Sequence, residues 1–220
     1  MKRTIFLSAL LVTLISIAAS GLYAESEAPL KGFTVTRFPY YVYSDASSRL
    51  QTLLPSGWMG DIRDLKIDHK ATENPQSGKT SIKITYTAKI KDGANWTGLY
   101  FQVNPDSRWN TRRGGNDLNR AKRIYFYARG NNGKEVVEFK VAGHKEQTYT
   151  HVSKTTIKVR LTDKWEKYEL DVTNMTLDEM AGGFCFVMNN HDNPKGCTFY
   201  LDEIYYTDEI EKTDMTMIEQ

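Results

Sequence analysis

The sequence predicts an all-β fold, two antiparallel sheets packed face to face as a β-sandwich. Three observations predict it. Apolar and polar residues alternate over many short stretches. Runs rich in turn formers divide those stretches. No long amphipathic helical pattern lies between them, which disfavours a parallel sheet with crossover helices.

The elements follow in order. SIKITYTAKI (81–90) sets Ile82, Ile84, Tyr86, Ala88 and Ile90 against Lys83, Thr85, Thr87 and Lys89, one buried side and one wet side. Further strands are expected at TGLYFQV (97–103), RIYFYAR (123–129), EVVEFKV (135–141), TTIKVRL (155–161), KYELDV (167–172), GFCFVM (183–188) and TFYLDEIYYT (198–207). KDGAN, GNNG, TDKWE and NNHDNPKG divide them, and GNNG is expected to close a hairpin. SRLQTLL (48–54) is compatible with a short helix or a strand, and LDEM (177–180) with one turn at most.

Residues 1–24 are expected to be a secretory signal, because Lys2 and Arg3 precede an apolar run followed by small residues. A flexible segment, 25–37, then leads to one β-sandwich domain, 38–207, and an acidic tail, 208–220. Removing Lys2 and Arg3 takes 29 basic residues to 27, against 27 acidic ones. A neutral chain argues against nucleic acid as partner, since phosphate binding draws on a basic surplus; the local cluster Arg108, Arg112, Arg113, Arg120, Lys122 and Arg123 is the one polyanion alternative. No later run is apolar and long enough to span a bilayer, so a secreted or periplasmic protein is expected.

The order of short motifs resembles a known family. Pro55-Ser56-Gly57-Trp58-Met59-Gly60-Asp61, Asn95-Trp96-Thr97-Gly98-Leu99-Tyr100-Phe101, Asn104-Pro105, Trp109, Gly114-Gly115 and Asp117-Leu118 begin the series. Phe126-Tyr127-Ala128-Arg129-Gly130, Glu138-Phe139-Lys140, Leu161-Thr162-Asp163-Lys164-Trp165, Gly182-Gly183-Phe184 and Phe199-Tyr200-Leu201-Asp202-Glu203-Ile204 continue it. The series resembles the secreted galactose-binding-like carbohydrate-binding domains over residues 40 to 207. The resemblance implies a jelly-roll sandwich that binds a glycan or polysaccharide without catalysis. Members of the scaffold that bind protein or lipid surfaces keep a second reading open: a structural or protein-interaction domain, with another envelope protein as partner.

Sugar rings present C–H faces between hydroxyls, so an aromatic ring with planar hydrogen-bonding groups beside it suits them. Trp109 stands in NPDSRWNTRRGG with Asn110, Arg112, Arg113 and Asn116 close in sequence, and neither strand nor helix period buries it. It is read as a ligand platform, with an end-plug of the sandwich or a protein contact as alternatives. Tyr100 and Tyr127 lie in aromatic runs that cannot all face inward. Arg129 is expected either to pair with Glu135 or Glu138 across the GNNG hairpin or to point into a cleft. Trp58, Trp96 and Trp165 are read as core or edge packing.

The resemblance further implies one structural Ca2+ between the beginning and end of the sandwich, with Asp45 and Asp202 or Glu203 as carboxylate ligands; the alternative is a turn cap at Asp45. Cys185 and Cys197 come opposite one another if their strands form a hairpin near residue 191, and a disulfide is expected there. A hydrolase is the least supported reading. His69, His144, His151 and His191 form no metal-ligand spacing, and Glu135 and Glu138 fall on opposite faces of one strand.

Overall fold

The computed structural model describes residues 34–50, 53–102, 116–144, 151–178, 180 and 182–210. Two antiparallel sheets face one another, as alternation predicts. Eleven strands build them: β1 (Tyr40–Tyr43), β2 (Leu54–Gly60), β3 (Leu65–Ala71), β4 (Ser81–Tyr86), β5 (Trp96–Gln102), β6 (Arg123–Gly130), β7 (Val136–His144), β8 (His151–Arg160), β9 (Glu166–Asp171), β10 (Gly182–Asn189) and β11 (Cys197–Thr207). One sheet runs β3-β4-β11-β6-β9, with β1 also paired to β11; the other runs β2-β5-β10-β7-β8. Among the described residues the helical content is one 3-10 turn, Ile62–Asp64, and none falls in 48–50 or 53–54.

Inward residues of the two sheets meet in an aromatic layer. Phe126 of β6 lies 4.6 Å from Phe139 of β7 and 5.1 Å from Phe184 of β10, ring centre to ring centre. Phe186 meets Phe199 edge-on at 5.4 Å. All five rings are buried, each stabilising the sandwich by about 1.5–3 kcal/mol through burial. Polar bonds tie the layers at their margins. Asn193, between β10 and β11, accepts from the Val136 N–H at 3.0 Å and donates to its carbonyl at 2.8 Å, completing the start of β7.

Two details depart from the expected pattern. The 81–90 strand ends at Tyr86, because Asp64 takes the Thr87 hydroxyl and the Ile90 N–H, each at 2.6 Å, and Ala88 and Ile90 turn to positive φ. GNNG does not close a hairpin within one sheet: it carries the chain from β6 of one sheet to β7 of the other. Glu135 shapes that crossing by accepting from the N–H groups of Asn132 and Lys134, both at 2.8 Å.

Candidate functional site

In an antiparallel ladder, residues directly opposite share a face. Leu99, Phe101, Phe139, Phe184 and Phe186 point into the core, so their neighbours along β5, β7 and β10 point outward. The register then lays two rows across all five strands of the smaller sheet. One row reads Gly57, Tyr100, Cys185, Lys140, Thr156; the next reads Met59, Gly98, Val187, Glu138, Lys158. Trp96 and Asn189 begin a third.

The middle of this face is built from small side chains. A Cβ on Gly57 would lie 2.7 Å from the Tyr100 Cβ, and one on Gly98 would lie 2.6 Å from the Phe186 carbonyl, so both positions require glycine. Around that floor stand the Tyr100 ring, the Trp96 indole at 38% exposure, and an ion pair, Lys140 Nζ to Glu138 Oε2 at 3.0 Å. Thr156 donates to the other Glu138 oxygen at 3.0 Å. Tyr100 and Gln102 are buried despite facing outward, and burial raises the Tyr100 hydroxyl well above its ordinary pKa. The exposed Trp96 indole, a carboxylate, an ammonium and a hydroxyl on one side of a sheet can stack on and hydrogen-bond a polyhydroxylated ligand, with the buried Tyr100 ring as support beneath them.

The other outward face belongs to the six-stranded sheet, and Tyr127 and Arg129 lie there. Arg129 is enclosed: its guanidinium sits 3.8 Å above the Tyr200 ring and 5.2 Å from Trp165, and Nη2 donates to the Glu73 carbonyl at 2.8 Å. The expected pairing with Glu135 or Glu138 is corrected, since Glu135 caps the crossing and Glu138 faces away on the opposite sheet. Those two carboxylates also hold separate structural bonds. Tyr127 is half-buried beside Tyr41 and Tyr205.

Tyr100 is thus separated from Tyr127 and Arg129 by the thickness of the sandwich. Asn116 is buried: its amide donates to the Tyr40 hydroxyl at 2.6 Å, and its backbone exchanges bonds with Met180. Trp109, Asn110, Arg112 and Arg113 lie outside the described residues. Sequence reading missed Glu138 and Lys140 as members of a face with Tyr100. The signal was their shared alternation in β7, but the facing strands had to be known first.

Comparison with solved structures places this architecture. A family 30 carbohydrate-binding module is 15% identical, with a TM-score of 0.56 over 84% of this chain and 94% of its own. The family 30 module of a cellulosomal cellulase of Clostridium thermocellum is also 15% identical, with a TM-score of 0.55 over 80% of this chain and 100% of its own. The chain has the β-sandwich fold of these modules. No protein-family model and no curated protein matches the sequence.

The module-like sandwich does not arrange Asp45, Asp202 and Glu203 as a calcium shell. Asp45 Oδ1 accepts from Ser47 N at 3.0 Å and Ser47 Oγ at 2.8 Å; Oδ2 accepts from Lys79 N at 2.7 Å and Thr80 N at 3.2 Å. These bonds, led by the one from the Ser47 backbone, hold its carboxyl well below the usual range. Asp202 accepts from Gln76, Ser77 and Glu203 backbone N–H groups at 3.0, 3.3 and 2.9 Å, and Glu203 accepts from Ser77 Oγ. Seven donors therefore engage the Asp45 and Asp202 oxygens, and among the described residues no group of three or more acidic, histidine or cysteine side chains is gathered as a metal-ligand set. The two carboxylates clasp the loop before β4 instead, and burial pushes the Asp202 carboxyl up to about 7.

The disulfide is corrected as well. Cys185 on β10 and Cys197 on β11 belong to different sheets, so no ladder sets them opposite, and both are thiols. Cys185 faces outward beside Tyr100, whereas Cys197 approaches the Met188 sulfur at 3.9 Å and burial pushes its thiol up to about 12.

Proposed function

We propose that this is a secreted or periplasmic, non-catalytic carbohydrate-binding protein whose glycan lies on the outward face of the five-stranded sheet. The observation that carries the reading is the pair of rows through Tyr100 and Gly98: a floor pared to glycine, cysteine and valine, bordered by Trp96, Tyr100 and the Glu138–Lys140 pair. A sheet face serving solvent alone has no need of glycines at two adjacent strand positions, which weaken a strand. A lowered floor lets a flat ligand lie against the exposed Trp96 indole while Glu138 and Lys140 accept from and donate to its hydroxyls. The fold shared with family 30 modules supports the same reading.

Trp109 enters the proposal as an additional stacking ring on its sequence context alone, an indole among Asn110, Arg112 and Arg113. The absence of a closely matched carboxylate pair at Glu135 and Glu138 favours binding over hydrolysis. One observation favours the second reading, a protein partner in an envelope assembly: the edge strand β2 exposes Leu54 at 44% and Trp58 at 45%. A glycan array with the purified protein tests the choice. Selective retention of one glycan class, weakened in Glu138→Gln, supports the proposal; a blank array moves the assignment to the protein partner.

A further inference from the structure

The outward face of the six-stranded sheet carries a depression of about 520 Å³. Tyr41 of β1, Tyr205 of β11 and Tyr127 of β6 contribute its rings, and Gln76, Glu203 and Glu209 much of its polar lining. Its wall is held in place. Asp202 fixes the backbone of Gln76 and Ser77, and Ser77 Oγ donates to Glu203, so that carboxylate is set at the rim by the loop before β4.

The charged side chains that line the depression, Glu203 and Glu209, are both acidic, and among the described residues neither takes part in an ion pair. Tyr41 feels that field: burial first, then the Glu203 charge, raises its hydroxyl. The adjoining row, Tyr41–Tyr205–Tyr125, with ring centres 5.5 and 5.8 Å apart, already seats one ammonium. Lys167 Nζ lies 4.3 Å from the Tyr125 ring centre and 5.9 Å from that of Tyr205.

We infer that this depression is a second binding site, selective for a saccharide bearing a protonated amine. Glu203 and Glu209 meet the ammonium, the tyrosine rings cover C–H faces of the sugar, and Gln76 bonds its hydroxyls. The volume lies within the range of small-molecule sites. The inference rests on the reading of the protein as a glycan binder, but uses the opposite face.

The test is calorimetric titration of the purified protein with a glucosamine tetrasaccharide, its fully N-acetylated counterpart, and spermidine. The glucosamine oligomer should bind, N-acetylation should weaken it by about tenfold or more, and spermidine should bind more weakly than the oligomer. Glu203→Gln should produce a similar loss without moving the melting temperature, while Glu169→Gln, which removes a charge from the same sheet, should leave the affinity unchanged. Equal affinity for the two oligosaccharides, no binding of the glucosamine oligomer, spermidine matching it, or indifference to Glu203→Gln would each overturn the site. Failure of the five-stranded face shows itself separately, as neutral-glycan binding that ignores Glu138→Gln whatever Glu203→Gln does.

Discussion

Gly57 and Tyr100 face each other across β2 and β5 so closely that a Cβ on the glycine would stand 2.7 Å from the tyrosine Cβ and 3.1 Å from Gln102 Cδ. The tyrosine lies where it does because β2 yields there. Gly57→Ala should therefore push Tyr100 and Gln102 out of the row, costing about 1–3 kcal/mol of stability by overpacking and weakening glycan binding at the same time. Thermal melts and titrations on the one variant check both. An alanine accepted with an unchanged melt and unchanged affinity would remove the lowered floor from the account.

Asp202 predicts a distinctive pH dependence. Its folded pKa, about 7, lies above the ordinary carboxyl value of 3.8, chiefly through burial. Between those values the folded chain holds a proton that the unfolded chain has lost. The stabilisation is complete below the unfolded pKa and disappears as pH rises through the folded one. The wild-type melting temperature should fall relative to that of Asp202→Asn as pH rises from about 4 to about 7.5, then run parallel to it. Parallel curves over the whole range would mean that Asp202 titrates normally.

Calcium should leave the melt unmoved. Backbone and hydroxyl donors already fill Asp45, and three N–H groups engage Asp202. An ion that bound only the folded protein would raise its melting temperature with concentration. Superimposable melts in millimolar calcium and in chelator are expected; a rise with calcium, reversed by chelator, would show a site these carboxylates open to form.

Most strands with a buried and a wet side were legible in the sequence, β3 being missed; their assignment to sheets was not. Ile82, Ile84 and Tyr86 do face the core, and Lys83 and Thr85 do not, because alternation is a local property of the chain. β2 escaped notice because Pro55, Gly57 and Gly60 erase its period, and β1 because four residues are too few to show one. GNNG has the composition of a hairpin turn, yet composition does not say whether the next strand pairs with the last or crosses to the other layer. That one ambiguity misplaced Arg129 relative to Glu138, and a parallel assumption at residue 191 paired Cys185 with Cys197. The rows through Tyr100 depend on register among five strands far apart in sequence, so Tyr100 could be singled out as an outward aromatic while Glu138 and Lys140 could not be joined to it.

The most direct test of the account is calorimetric titration of the purified protein with the glycan it retains best on an array, comparing wild type, Trp96→Ala and Glu138→Gln. Both side chains border the pared floor, and Trp96 is exposed enough to be cut back without opening the core. Each variant should keep the wild-type melting temperature within a few degrees and lose affinity, by about 1–3 kcal/mol for a ring or charge that touches the ligand. Wild-type affinity in both variants would contradict it and take the ligand off the five-stranded face.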